Sequence, residues 1–295
     1  MKMHADQVEI TGEVVADLVA GQFPRWRALP VRPVRSYGTV NALFRLGDEV
    51  VLRFPLRPTD PGARDELLAE QEHARRLAGR LPLPIPEPLA LGEPGEGYPG
   101  HWAAYRWIPG STADDRTVGD EHPFARDLAG FVAALRDVDT GGRRWVGQGR
   151  GGPLAPNDEM VRHALAESAG LTDSAGVARA WRRCLDAPPH AGADVWLHAD
   201  LMPGNLLVRD GRLAAVIDLG AVCVGDPAVD LMPAWNLLSP AARETYRRAL
   251  GVDDATWERG RGWAILQAAM ALPYYVDTNP VMADTARRTL AAVLE

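Results

Sequence analysis

Two short runs near the start of the chain are rich in strand-favouring residues, "VNALFRL" at 40–46 and "EVVLRF" at 49–54, and Gly47 with Asp48 between them predicts a hairpin. Next, "ARDELLAEQEHARRLAG" at 63–79 sets apolar residues at 67, 68, 74, 77 and 78 amid charge, the spacing of an amphipathic helix of about four turns. Prolines dominate "LPLPIPEPLA" at 81–90, which predicts extended, polyproline-like chain. "HWAAYRWI" at 101–108 predicts a further strand, stopped by Pro109 and Gly110. Beyond it the period lengthens, with helices predicted near 120–138, 157–169, 173–186, 226–238, 240–250, 254–275 and 279–294. Gly141 to Gly152 is a loop-like stretch of low complexity.

One segment breaks the helical pattern. In "WLHADLMPGNLLVRDGRLAAVIDLG" at 196–220, Asp210-Gly211 is a strong two-residue turn between apolar strands at 206–208 and 213–217. The expected architecture is α+β: a small β-rich N-terminal lobe over residues 1–108, a Pro-Gly hinge, and a larger, mainly helical C-terminal lobe over 109–295.

Composition removes several function classes. The net charge is −7 without a basic run, which argues against nucleic acid or an anionic membrane as partner. The most apolar stretch, "WAILQAAMALPYYV" at 263–276, is interrupted by Gln267 and Pro273, so no membrane span is expected. The start carries no signal-peptide pattern, and Cys184 and Cys223 are the only cysteines, so a reducing cytoplasm is the expected compartment. Of 32 lysines and arginines only Lys2 is lysine, which excludes a Walker A loop and Schiff-base chemistry inside the fold.

The hairpin concentrates the candidate chemistry. Asn205 leaves one strand at about the level where Asp218 leaves the other, so an amide oxygen and a carboxylate converge at its open end. Hard oxygen ligands of this kind suit magnesium when substrate phosphates complete the octahedron. Asp200, on a loop turned by Pro203-Gly204, arrives at the same end and can accept a proton from a hydroxyl without binding metal. His198 serves the loop's orientation. Ser36, Tyr37, Gly38 and Thr39, in "RSYGTVN" at 35–41, offer backbone amides to phosphates, though one glycine serves a plain turn equally well. Asp226-Pro227 reads as an N-cap followed by proline at the first helical position.

The order H-x-D-x4-N, a short hairpin, then I-D-x-G resembles the catalytic and metal loops of the kinase superfamily, and "LHADLMPGNLL", "VIDLG" and "GDPAVDL" resemble the aminoglycoside phosphotransferase family, small-molecule antibiotic kinases of protein-kinase-like fold, over nearly the whole chain. The resemblance implies Asp200 as catalytic base and Asn205 and Asp218 as Mg2+ ligands. It further implies that Arg53 pairs with Glu70 to position the nucleotide's α and β phosphates, with Glu66 and Glu72 as competing helix carboxylates. Chain around Tyr105, Arg106 and Trp107 would receive adenine, and Asp230 would brace the catalytic loop. Ala199 stands where the family usually has glycine, Met202 where it commonly has histidine, and Arg53 where kinases generally have lysine.

The expected activity is transfer of the γ-phosphate of ATP or GTP to a hydroxyl of a small molecule, as phosphoryl transfer asks mainly for positioning and charge neutralisation. Beyond residue 108 there are 25 acids against 19 bases, which suits an aminoglycoside-type antibiotic and hence antibiotic resistance. A macrolide or small amino alcohol is the alternative acceptor, with Trp235, Trp257, Trp263, Tyr274 and Tyr275 as its apolar lining. A catalytically inactive nucleotide-binding regulatory protein is the alternative from another class. A metal-dependent hydrolase on His198, Asp200 and Asp218 would need more ligands than the segment shows. The short stretch from Gly220 to Asp226 leaves no room for a protein-kinase activation loop.

Overall fold

A computed structural model describes residues 7–36, 38–59, 62–114, 116–147 and 149–295. It divides into two compact units, one taking the chain up to Ala78 with Pro84–Pro109 and Ile217–Gly220, the other taking Gly79–Leu83, Gly110–Val216 and Ala221–Glu295. Where a single cut at residue 108 was expected, the chain thus crosses between units around 79–83 and again at 217–220.

The first unit is an antiparallel sheet with two helices. Helix α1 (Gly12–Gln22) starts at Thr11, whose side chain accepts from the Val14 N–H, and buries Val15, Leu18 and Val19. Strands β1 (Val31–Val34), β2 (Asn41–Leu46) and β3 (Val50–Pro55) precede helix α2 (Ala63–Leu77), and β4 (Pro88–Gly92) and β5 (Trp102–Arg106) follow it. The strand order is β1-β2-β3-β5-β4. Alternation in β3 sends Val50, Leu52 and Phe54 into a core where the Phe54 ring stacks on Trp102 with centroids 5.0 Å apart. The stretch at 81–90 is not wholly polyproline-like: its last residues open β4, which pairs with β5 at the sheet edge with a register shift between Pro88 and Ala90. An edge and an irregularity are where a strand tolerates proline.

The second unit is mainly helical. It contains β6 (Ser111–Thr112), helices α3 (Glu121–Arg136), α4 (Asp158–Glu167) and α5 (Ser174–Asp186), and strands β7 (Val195–Leu197), β8 (Leu206–Arg209), β9 (Arg212–Val216) and β10 (Cys223–Gly225). Helices α6 (Pro233–Asn236), α7 (Pro240–Leu250), α8 (Asp254–Tyr275) and α9 (Pro280–Ala292) complete it. Strands β6, β8 and β9 form one small sheet, and β7 pairs antiparallel with β10. The helix expected over 226–238 is a 3-10 turn at Pro227–Leu231 followed by the four-residue α6. Pro233 causes the break, because it has no N–H to continue the ladder and crowds the turn before it.

In the β8–β9 hairpin Arg209 pairs with Arg212, and the two residues between them, Asp210 and Gly211, have φ of 53° and 74°. Positive φ at both places is the two-residue turn that Asp-Gly favours. A register shift between Leu207 and Val208 sets Leu206 opposite Val216 at the open end.

Candidate active site

Arg53 owes its place to the alternation of β3. With Leu52 and Phe54 in the core, Val51 and Arg53 face the opposite side of the sheet, where Leu67 of α2 packs with Ala103 and Tyr105. Helix α2 turns Leu67, Glu70, Gln71, Ala74 and Leu77 inward, so a glutamate fills one place in an apolar stripe. Glu70 is only 4% exposed and its Oε1 accepts from Arg53 Nη1, the compensation a buried carboxylate requires. Glu66 and Glu72 are exposed on the same helix, which settles the competition between the three.

A second carboxylate meets the same guanidinium. Arg53 Nη2 lies 3.4 Å from Asp218 Oδ1, and the guanidinium carbon is 5.5 Å from the centre of the Tyr105 ring. Burial opposes the arginine's charge, but Glu70 and Asp218 outweigh it and hold the guanidinium protonated. The Glu70 carboxyl is pushed above its ordinary value by burial, with Arg53 pulling against that shift. Asp218 has φ of 68°, and its side chain is 37% exposed, so the carboxylate stays accessible.

The other residues expected to bind nucleotide are arranged less directly. Ser36 Oγ accepts the Gly38 N–H at 2.9 Å, a local side-chain turn that occupies one of the amides offered to phosphates. Tyr37 lies outside the described residues, and Thr39 follows in the same loop. Tyr105 is buried beneath Arg53. Arg106 is tied to Glu87 at 2.6 and 3.3 Å, and Trp107 lies under the Arg45 guanidinium at 4.1 Å. The N–H groups of Arg106 and Trp107 donate to Glu87 O and Glu49 O, so neither is free for a base.

The second unit holds Asp200. As the chain leaves β7, the buried Asp230 carboxylate accepts the N–H of His198 and of Ala199, each at 2.8 Å. Burial raises the Asp230 carboxyl above the usual range, opposed by His198 and by these two amides. Tyr246 donates to the Asp230 carbonyl at 2.6 Å. Ala199 then turns the loop with φ of 63°, the Asp200 N–H donates to His198 Nδ1 at 3.3 Å, and Met202 N–H closes on Asp200 O at 2.7 Å. Asn205 Nδ2 donates to both the backbone oxygen and Oδ2 of Asp200, each at 2.9 Å. Asp226 does more than cap: besides accepting from Ala228 N–H, it forms a buried two-bond pair with Arg259 at 2.6 and 3.2 Å.

Two contacts of Asp200 come from residues the sequence reading did not select. Arg150 Nη1 donates to Asp200 Oδ1 at 2.5 Å and also to the Ala199 carbonyl, while Gln267 Nε2 donates to the same Oδ1 at 2.8 Å. Gln267 carried a signal, as the polar residue breaking the apolar run of α8. Arg150 sits in the glycine-rich stretch read as plain loop, and nothing local distinguishes it.

The sequence model of the phosphotransferase enzyme family (APH) matches residues 32–263. The chain belongs to this family. An aminoglycoside 3'-phosphotransferase of Escherichia coli is 26% identical over 164 residues, 52% of this chain, and the chain spans 59% of that relative's length. Among solved structures, the GDP and kanamycin complex of APH(2")-IIia superposes with a TM-score of 0.73 at 17% identity, covering 95% of this chain and 97% of the other. The macrolide 2'-phosphotransferase MphH from Brachybacterium faecium gives 0.59 at 21% identity over 95% and 97%. At such identities the likeness is one of fold, and it places the antiparallel sheet and the helical portion in the kinase-like architecture that the sequence motifs implied.

A family of phosphotransferases implies a nucleotide with magnesium, and two of the residues carry donors of the type that magnesium takes. With Nδ2 given to Asp200, the remaining acceptor of Asn205 is its amide oxygen, and Asp218 offers an accessible carboxylate. Both are hard oxygen donors. Among the described residues no three His, Cys, Asp or Glu side chains gather as a metal site. Among the described residues no helix is long and apolar enough to cross a membrane.

Proposed function

We propose that the chain transfers the γ-phosphate of ATP or GTP to a hydroxyl of a small molecule, with aminoglycoside-type antibiotics as the first acceptor class. The observation that carries this reading is the bonding of Asn205 to Asp200 in a loop that Asp230 holds by two backbone amides. One carboxylate is thereby presented in a fixed orientation, which is what a general base requires. The acceptor hydroxyl gives its proton to Asp200 while its oxygen bonds to the γ-phosphorus. The bond from that phosphorus to the β–γ bridging oxygen breaks, and the nucleoside diphosphate leaves.

Arg53, held by Glu70, binds the α and β phosphates through its fork of donors. Asn205 and Asp218 would hold a magnesium ion, which when bound would neutralise phosphate charge. Backbone of Ser36 and Thr39 serves the phosphates, the Gly38 N–H being held by Ser36 Oγ, and the nucleobase lies at the end of β5 beside Trp107. Because the N–H groups of Arg106 and Trp107 are committed, base recognition there falls to other groups of that segment. Supporting the reading, the aligned relatives are aminoglycoside and macrolide phosphotransferases, and their solved complexes include GDP and kanamycin. A cytoplasmic site of action accords with the free thiols of Cys184 and Cys223.

The test is product analysis. The full chain with Mg2+ and either ATP or GTP is incubated with aminoglycosides, macrolides and small amino alcohols, and phosphorylated acceptor is detected by mass. Stoichiometric product and nucleoside diphosphate support the proposal. Tight nucleotide binding with no product across the panel leaves the regulatory-protein reading in its place.

A further inference from the structure

Arg150 has no part in the reaction as set out above, yet one of its nitrogens makes two bonds at the loop that carries Asp200. Nη1 donates to Asp200 Oδ1 at 2.5 Å and also to the Ala199 carbonyl oxygen. The footing of that side chain is built into the packing. A Cβ on Gly225 would lie 2.5 Å from Gly151 O and 2.7 Å from Gly151 Cα, so a glycine at 225 is what lets residue 151 come this close to β10. Asp226 N–H donates to Gly151 O at 2.8 Å, and Cys223 Sγ donates to Arg150 O at 3.4 Å. The backbone that carries Arg150 is therefore pinned at two successive carbonyls.

Ala199 is the residue on which this arrangement acts. Its φ of 63° lies in the left-handed region, which an alanine leaves when nothing prevents it. Strain of this kind persists only where the surroundings over-determine the conformation. Two peptide planes flank Ala199, and a different side chain holds each. The buried Asp230 carboxylate accepts the Ala199 N–H and so fixes the plane on the N-terminal side, while Arg150 takes the Ala199 carbonyl oxygen and fixes the plane on the C-terminal side. The same Arg150 nitrogen ties the Asp200 carboxylate to that second plane, and Gln267 Nε2 joins it on Oδ1 at 2.8 Å. Oδ2, bonded to Asn205 Nδ2, is the oxygen left to take a proton.

We infer that Arg150 is a positioning residue: it locks the strained Ala199–Asp200 peptide and, through it, the orientation in which Asp200 receives the acceptor hydroxyl. The catalytic consequence rests on the proposed phosphotransferase reading, whereas the lock on the loop can be measured without it. Removing Arg150 frees a peptide that an alanine does not favour in this form, so the loop turns away for part of the time. Glycine populates the left-handed region about as readily as negative φ. With glycine at 199 the loop should therefore need Arg150 far less. A role for Arg150 through its charge alone predicts no such dependence on residue 199.

A double-mutant cycle on the full chain tests this, with Arg150→Met, Ala199→Gly and the two combined. Two quantities are read: kcat and KM with the acceptor found by product analysis, and amide hydrogen exchange at Met202, whose N–H closes the loop on Asp200 O at 2.7 Å. Arg150→Met should lower kcat by roughly tenfold, the population shift that the left-handed cost of alanine corresponds to, and should speed Met202 exchange by a similar factor. In the Ala199→Gly background the same substitution should change either by no more than about threefold. The KM for nucleotide should stay near the wild-type value in all forms. Because the Arg150 side chain is 36% exposed, its replacement should leave the chain folded, and Arg150→Lys, which returns one nitrogen on a shorter stem, should recover part of kcat. Equal losses from Arg150→Met in both backgrounds, or Met202 exchange unmoved by it, overturn the inference and leave the phosphotransferase reading intact. No transfer by the wild type to any acceptor, with Met202 exchange still following the expected pattern, overturns the phosphotransferase reading and leaves the lock standing. Absence of both transfer and a change in exchange overturns both.

Discussion

The Asp230 carboxylate accepts the Ala199 N–H at 2.8 Å, and Ala199 sits in the left-handed region at φ of 63°. An alanine there carries strain of about 1–2 kcal/mol that a glycine avoids. Asp230 is fully buried and its two backbone bonds fix this geometry, so the surroundings impose the strain on residue 199.

Replacing Ala199 therefore separates backbone strain from side-chain packing. Ala199→Gly removes the strain but also a fully buried methyl worth about 0.8 kcal/mol. Those effects oppose each other, so urea unfolding should put its stability within about 1 kcal/mol of wild type, with transfer activity kept. Ala199→Val adds a β-branched side chain to the same turn and should destabilise by about 2 kcal/mol or more. If Ala199→Gly costs as much as Ala199→Val, the methyl matters for packing and the strain argument is wrong.

Glu70 and Arg53 give a test with a pH signature. Arg53→Ala leaves a carboxylate of 4% exposure without its partner, a change that commonly costs about 3–5 kcal/mol. Burial already raises the folded-state pKa of Glu70 above its unfolded value, and loss of the arginine raises it further. Whatever stability depends on protonated Glu70 is thus fully present below the unfolded pKa and is lost as pH rises through the folded one. Unfolding of Arg53→Ala followed across pH should accordingly show a smaller deficit in mild acid than at neutrality. Arg53→Lys restores the charge without the fork to both Glu70 and Asp218, so it should recover most stability and only part of the nucleotide affinity. Unaltered ATP binding by Arg53→Ala would remove this residue from the nucleotide site.

Local chemistry made some of these features legible in the sequence. Asp210-Gly211 announced the hairpin because the turn needs two residues of positive φ, and Asp226-Pro227 announced a cap and a start. Glu70 was assigned through resemblance, although a physical cue was present: the stripe of Leu67, Ala74 and Leu77 lacks an apolar residue at 70 and 71, and a charge in such a gap needs a partner. Helix α1 was passed over because Val14, Val15 and Val19 suit a strand equally well, and only the Thr11 cap and the spacing of Val15, Leu18 and Val19 favour helix. Arg150 could not be read at all. Its place depends on Gly151 meeting Gly225, a contact between segments far apart in the chain that no local pattern records.

Asp218 should govern magnesium-nucleotide binding and contribute little to folding. Its contact with Arg53 is long at 3.4 Å and its side chain is over a third exposed, so Asp218→Asn should change stability by no more than about 1 kcal/mol. The same substitution replaces an anionic ligand by a neutral one, and affinity for magnesium-ATP should fall roughly tenfold or more, about 1.4 kcal/mol. Chelation of magnesium should abolish most of the difference between wild type and variant when nucleotide binding is measured by calorimetry. A variant that binds magnesium-ATP as wild type does would exclude Asp218 as a metal ligand.

Asp200→Asn separates binding from chemistry, and its hydrogen bonds set what else it changes. Arg150 and Gln267 both donate to Oδ1, so an asparagine at 200 must keep its oxygen on that side. Its amide nitrogen then faces Asn205 Nδ2, two donors opposed, while Asn205 retains its bond to the backbone oxygen of residue 200. One hydrogen bond is lost in a partly exposed place, which costs about 1 kcal/mol of stability and leaves the fold standing. Magnesium-ATP affinity should change little, since Asp200 is assigned neither to the metal nor to the nucleotide. Transfer should fall by about 10²- to 10⁴-fold, the usual loss when a general base is removed. Measured side by side, retained calorimetric affinity with lost transfer identifies Asp200 as the base. Equal losses in both would mean that the loop itself has shifted, and transfer unchanged in Asp200→Asn would mean that another group takes the proton.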